Sequence, residues 1–316
     1  MTVGKTDYLT RIIECFPVRN SAAQKEAFRN WAAEEAERTG YAARTEENGG
    51  HRNLVIGDPQ KAKILFTAHY DTPRRALFPN LMMPCSHFLH SLYLIAVMLP
   101  MAGLALGAAA LVRNLTGLSF DSVGNRVLLF QVYLAVYLAL YFLLFFGPAN
   151  RSNSNDNTSG TAAVLTLAAK LKGNPDAAFV LFDDEEKGKK GSKAYTAAHP
   201  DLKARTAVIN MDCVGAGEHF IFSVPDTAEK MTDALRQAFA GNGAWDTVLC
   251  TAAQAKMNSD HKSFDRGIGV CACARRRIVG YMTGRIHTPR DTAASPENIE
   301  ALTEGLKKLA EGTIPV

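Results

Sequence analysis

The sequence has no basic stripe. Its 35 lysines and arginines exceed its 31 acids by only four, and they are spread along the 316 residues. A nucleic-acid surface gathers Lys and Arg on one face, so no nucleic-acid partner is expected. Cysteine is sparse too: Cys15, Cys85, Cys213, Cys250, Cys271 and Cys273. None stands in a C-x-x-C pair, and the pattern is not that of a small disulfide-stapled secreted domain. Cys271-Ala-Cys273 alternates with Val270 and reads as strand packing. Residues 1–20 lack the apolar core of a secretory signal. Repeats and low-complexity tracts are missing as well.

Charge is absent from two long stretches. Residues 88–112, "FLHSLYLIAVMLPMAGLALGAAALV", have His90 as their one ionisable group, and residues 127–147, "VLLFQVYLAVYLALYFLLFFG", have none. Runs of 25 and 21 residues match the ~20 that cross a bilayer as helix. The link between them is short and polar, so the pair reads as a transmembrane hairpin at 86–147. A hairpin returns the chain to its starting side. With no signal ahead of it, both flanking parts are expected in the cytoplasm, on a multi-pass membrane protein with two spans. The count of arginines beside the spans agrees weakly with that orientation. The small residues Gly103, Ala105, Gly107 and Ala109 would let a second copy approach, giving a homodimer through the hairpin.

Outside the hairpin the pattern alternates. Helices are expected over 5–15, 21–39, 157–173, 190–200, 226–241 and 295–312. Between them lie β-rich runs: "YAART", "NLVIG", "KAKILFTAHYD", "AAFVLFDD", "ARTAVINMDCVG", "HFIFSV", "WDTVLCT" and "GIGVCACA". Strands alternating with helices predict an α/β domain whose mixed, largely parallel sheet is covered on both faces. Residues 1–85 hold too few strands to stand alone and 148–316 complete the alternation. One catalytic domain, interrupted by the hairpin, is therefore expected.

Acids and histidines stand where the strands end. "ILFTAHYDT" places His69 and Asp71, "FVLFDDEEKG" places Glu185 and Glu186, and "AVINMDCVG" places Asp212. Asp156 lies in the turn "NSNDNTSGT" before a helix, and "RIHTPRDT" places His287 with Asp291 four residues on. Open α/β sheets bind ligands beyond the carboxyl ends of their strands. Imidazole and carboxylate together suit zinc. One metal needs three or four protein ligands, and this set offers more, enough for two metals sharing a carboxylate. Taken singly, each piece is more often a cap, a turn or a solvated face.

The ordered set H-x-D, D-N-x-S-G, E-E-x-G-x-x-G-S, a strand-end D, S-D-H-x-x-F and H-T-x-x-D resembles the co-catalytic zinc aminopeptidase family. That family includes bacterial leucyl aminopeptidases, glutamate carboxypeptidase and glutaminyl cyclase. The resemblance covers residues 20–85 and 150–310 and does not extend to the hairpin. It implies a zinc aminopeptidase-like fold and two zinc ions per chain. His69, Asp156 and Asp212 would hold one ion, and Asp156, Glu186 and His287 the other. It further implies that Glu185 is the general base and that Asp71 orients His69, with Asp291 or Asp260 serving His287 in the same way. Tyr281 and His261 are candidate oxyanion donors, and Ser259 and Asp260 match the S-D-H signature. Arg285, with Arg290, stands beside His287 and could meet a substrate carboxylate. The implied activity is hydrolysis of a peptide or amino-acyl amide. Glutaminyl-cyclase-like or N-acyl-amino-acid chemistry on the same residues is the alternative. A membrane scaffold or transport component is a rival of another class, disfavoured because the spans carry only His90, near one end, and the polar Gln131.

Overall fold

Strand β3 (Ile64–His69) has six consecutive buried residues, and so does β5 (Ala177–Phe182). Such runs belong to strands covered on both faces. In the computed structural model, which describes residues 7–314 apart from 77, 79, 146 and 242, the two pair in parallel, with Ile64 opposite Ala177 and His69 opposite Phe182. On the other side of β3, β6 (Ala207–Met211) and then β9 (Gly267–Arg276) continue the parallel block.

Around that block the sheet turns antiparallel. β1 (Ala43–Asn48) pairs with β2 (His51–Ile56), and β2 pairs with β5. β7 (His219–Val224) and β10 (Gly280–Ile286) both join β9. β4 (Asn80–Met82) joins β10, and β8 (Asp246–Thr251) lies parallel to β7. Alternate residues feed opposite layers, as the period of a strand requires. Phe66 and Phe179 pack in one core with α1 (Tyr8–Cys15), α2 (Ala22–Arg38), α5 (Gly160–Leu171) and α9 (Pro296–Glu311). Leu65 and Val180 pack in another with α6 (Lys190–Ala198) and α7 (Pro200–Arg205). The fold is the expected mixed α/β sheet with helices on both faces.

Local signals behave as expected where they are strong. Ser21 accepts from the Gln24 N–H while the Gln24 side chain returns to the Ser21 N–H, a capping box that starts α2. Gly40 follows the helix at φ +93°, a conformation that favours glycine. Weaker signals failed. The helix expected over 226–241 is a 3₁₀ turn, Asp226–Ala228, followed by α8 (Met231–Ala238). Its first turn closes short bonds, Ala228 to Pro225 and Glu229 to Asp226, instead of the α-helical ones. β4 and β10 were not anticipated. β4 has three residues and β10 carries two glycines, so both depend on their neighbours for existence.

The apolar runs form α3 (His87–Thr116) and α4 (Val123–Phe145), two helices long and apolar enough to cross a membrane. They pack on each other through Met101, Ala105 and Leu129 while most of their surface stays exposed. The chain enters and leaves this hairpin at one place. Arg75 N–H donates to Pro148 O at 2.8 Å, Asn150 N–H donates to Pro73 O at 3.0 Å, and Arg74 bridges Ala149. One residue further, Ala76 N–H donates to His287 O at 2.7 Å. The hairpin base is thus hydrogen-bonded to a site residue.

Candidate metal centre

The ends of β3, β5, β6 and β10 and the turn before α5 bring His69, Glu185, Glu186, Asp212, His287 and Asp156 together. Asp156 lies between the two histidines. Its Oδ1 is 3.5 Å from His69 Nε2, and its Oδ2 is 3.0 Å from His287 Nε2. Asp212 Oδ1 is 3.9 Å from His69 Nε2, and Glu186 Oε2 is 3.5 Å from His287 Nε2. Two triads therefore share Asp156, and within each triad the ligand atoms lie within 4.8 Å of one another.

The D-N-x-S-G turn is built to hold Asp156 there. Asn157 Nδ2 donates to Met211 O at 2.9 Å, while its Oδ1 accepts from the N–H groups of Gly160 and Cys213. A Cβ on Gly160 would stand 2.3 Å from Met211 O, so glycine is required for the approach. Ser159 Oγ accepts from Val214 N–H at 3.0 Å. Asn and Ser thus fasten the turn on both sides of Asp212, a role a helix-cap reading of the motif misses. His287 sits at φ +62°, a sparsely populated conformation for a non-glycine residue that concentrates at functional sites.

Two aspartates work through backbone. Asp71 lies 3.4 Å from His69 Nδ1 and accepts the N–H of Glu185 at 3.0 Å and of Glu186 at 3.2 Å. The expected orienter of His69 also clamps the di-glutamate. Asp291 accepts from Asn155 and Asp156 N–H, both at 3.1 Å; it steadies the shared carboxylate, and no hydrogen bond links it to His287. Asp260 is fully buried and neither of its oxygens has a hydrogen-bond partner. Arg19, which the motif reading missed, is fully buried. It donates to Tyr70 O, to Phe16 O at 2.7 Å and to Thr158 Oγ1 at 2.9 Å, joining the β3 end to the Asp156 turn.

The other acids of "DDEE" read from sequence as hydrogen-bonded to backbone or facing solvent. Asp183 does accept the Arg52 N–H, at 3.2 Å. Neither acid faces solvent: Asp183 and Asp184 are buried, and both meet Lys25 Nζ, at 2.6 and 2.5 Å. Asp184 also meets His51 at 2.9 Å and Lys187 at 2.8 Å.

The remaining candidates fall as follows. His261 is buried with Nδ1 unpaired, and burial lowers it to about 4, so it is neutral at pH 7. Its ring covers Gly269, where a Cβ would lie 2.9 Å from it. Tyr281 packs in a small apolar cluster, its ring 5.1 Å from His219 and near Arg275. The Arg285 side chain is exposed, and its carbonyl closes the turn to Thr288.

The site is crowded with carboxylates. Burial, with neighbouring acids, raises Glu186 to about 8 and lifts Glu185 well above the usual carboxylate range. Burial would lower His287, but Glu186 and Asp156 outweigh it and lift it to about 9. Asp156 is pulled below its ordinary value, because His287 and His69 overcome its burial. Glu186 Oε1 is buried with no hydrogen-bond partner. A divalent cation fits these residues: it would meet the unpaired oxygen and offset the charge.

Glu186 binds its proton more tightly folded than unfolded, so its contribution to stability fades as pH rises from about 4 towards 8. His287 contributes below about 6.5 and loses that contribution as pH rises through about 9. The two act in the same direction, so metal-stripped protein loses stability at this site as pH rises. Cation binding must expel these protons. The rise in Tm on adding zinc therefore grows from pH 6 to pH 8. A zinc-induced shift that is flat or shrinking over that range would contradict these protonation states.

An α/β sheet whose strand ends collect imidazoles and carboxylates around a shared, buried aspartate defines a metallohydrolase. Residues 120–310 match the sequence pattern of peptidase family M28, and the chain belongs to that family. No curated protein matches it in sequence. Its fold is that of several solved structures. A Bacteroides thetaiotaomicron glutaminyl cyclase bound to N-acetylhistamine superposes with a TM-score of 0.59 at 14% identity, over 97% of this chain and 96% of that one. A Zn-dependent exopeptidase from Parabacteroides distasonis gives 0.56 at 14% identity, over 96% and 95%. The Legionella pneumophila LapA aminopeptidase gives 0.57 at 13%, over 96% and 69%.

Proposed function

We propose that the chain is a membrane-anchored, zinc-dependent exopeptidase of the aminopeptidase kind. Residues 1–85 and 148–316 form its catalytic domain and 86–147 its anchor. The observation that carries the reading is the two-sided contact of Asp156, one oxygen towards His69 and the other towards His287. A carboxylate with a separate ligand set on each oxygen suits two bridged cations. His69, Asp156 and Asp212 would hold one zinc, and Asp156, Glu186 and His287 the second. When bound, the ions would polarise the scissile carbonyl and lower the pKa of the attacking water.

The chain's own groups do the rest. Glu185 takes the proton from water and passes it to the departing nitrogen. Its environment, which raises its hold on a proton, favours that exchange near neutral pH. Asp71 keeps His69 and the Glu185 backbone in register. His261, neutral at pH 7, is the candidate donor to the developing oxyanion.

Two experiments test this. Stripping the purified protein with a chelator abolishes hydrolysis of unblocked peptides, and zinc restores it. Activity that survives stripping, or fails to return, removes the metallopeptidase reading. Deleting residues 86–147 moves the protein from the membrane pellet to the soluble fraction, since Arg75 and Pro148 already meet at the base. Full retention in the pellet would disprove the anchor.

A further inference from the structure

A cavity of about 170 Å³ lies between the hairpin and the metal centre. Tyr93, Leu94, Val97 and Met98 of α3 and Leu144 of α4 line it, and so does His287. One space therefore touches both apolar helices and a residue of the ligand cluster. Most of its wall is aliphatic or aromatic. Leu144 is buried, but Leu94 and Phe78, which also line it, are 44% and 51% exposed. The cavity is thus not sealed from the surroundings of the hairpin. Backbone holds the arrangement in place: Ala76 N–H donates to His287 O, and His90 Nδ1 lies 3.1 Å from Leu81 O.

The volume lies below the ~300–1,000 Å³ usual for small-molecule sites. It accepts one slender apolar chain, with no room for a polar head group. The amide of such a molecule lies beyond the cavity on the His287 side, towards the ligand cluster. A chain too long for the cavity continues past Leu94 and Phe78 into lipid.

We infer that the substrate is an amide bearing a long aliphatic chain, an N-acyl amino acid, which reaches the metal centre from the bilayer with its chain between the hairpin and His287. This rests on the metal-dependent amide hydrolysis proposed above and puts an acylated amide in place of the unblocked peptide as the preferred substrate of that site. Water adds to the acyl carbon, the C–N bond breaks, and the nitrogen takes a proton. The fatty carboxylate stays in the membrane and the amino acid leaves into water.

The test uses the full chain, zinc-loaded, in lipid nanodiscs. N-acyl amino acids from acetyl to palmitoyl are compared with free dipeptides. Each methylene buried in the cavity raises kcat/KM about fourfold until the cavity is filled. Val97→Trp fills the cavity and lowers the palmitoyl-to-acetyl ratio of kcat/KM at least tenfold. Leu138→Trp, on the exposed face of α4, leaves that ratio unchanged and controls for added bulk. Binding is read separately with a diazirine-bearing palmitoyl-glycine. It labels residues 93–98 or Leu144 in the wild type, is displaced by excess palmitoyl-glycine, and loses this labelling in Val97→Trp. A flat chain-length series overturns the inference, and so does labelling that Val97→Trp leaves intact. Dipeptide hydrolysis with either of these results overturns the inference alone. Displaceable cavity labelling with no turnover of any amide overturns the peptidase reading and leaves the ligand class standing.

Discussion

Replacing Glu185 by Gln lowers kcat by ~10²–10⁴-fold, the contribution of a positioned general base, while zinc content stays at the wild-type level. Glutamine keeps the shape of the side chain and the backbone N–H that Asp71 accepts, but it cannot take up a proton. Glu185 belongs to neither of the triads that share Asp156, although it also groups with His69 and Glu186; with both triads intact, its loss costs chemistry and not metal. Steady-state kinetics with elemental analysis of the same preparation checks both halves. Activity within tenfold of wild type would return the proton-transfer role to another group. Asp260 would then be examined first, because it is buried, lacks hydrogen-bond partners and is raised to about 7, chiefly by burial. Loss of zinc along with activity would instead make Glu185 a ligand.

Asp156→Ala produces the other large effect, and it differs in kind. Both triads lose their common member at once. The remaining carboxylates then face one another without the group that His69 and His287 share. Metal affinity falls at both positions by more than the ~10–100-fold that removing a supporting partner costs. Activity drops by ~10⁴-fold or more, since the base has no activated water to work on. Zinc per chain falls below one, whereas Asp212→Ala and Glu186→Ala each keep about one. The comparison separates a bridged pair from a single site: if Asp156→Ala retained as much zinc as Glu186→Ala, Asp156 would not bridge. Far-UV circular dichroism guards against unfolding, because Asn157 and Ser159 still fasten the turn to the end of β6.

The two long apolar helices, the strand-end acids and histidines, and the alternating α/β pattern were all legible in the sequence, for a shared reason. Each depends on residue type over a short stretch: enough apolar residues to cross a bilayer, or an imidazole just after a buried strand. What those residues touch was not legible. Asp71 was expected behind His69 and is there, but its grip on the Glu185 and Glu186 N–H groups joins segments more than a hundred residues apart. Asp291 was an open candidate for His287 and holds the Asp156 backbone instead. Of four adjacent acids, two were expected to meet solvent or backbone. Asp183 does accept a backbone N–H, but both acids are buried on Lys25, from a helix near the start of the chain. Sequence by itself determined which groups this protein brings to its site and that two helices can span a membrane. Only the tertiary structure decided which oxygen faces which nitrogen, and that the hairpin base is bonded to His287. A hydrogen bond or ligand contact is set by approach within about 3 Å, and packing of distant segments, not residue order, determines that approach.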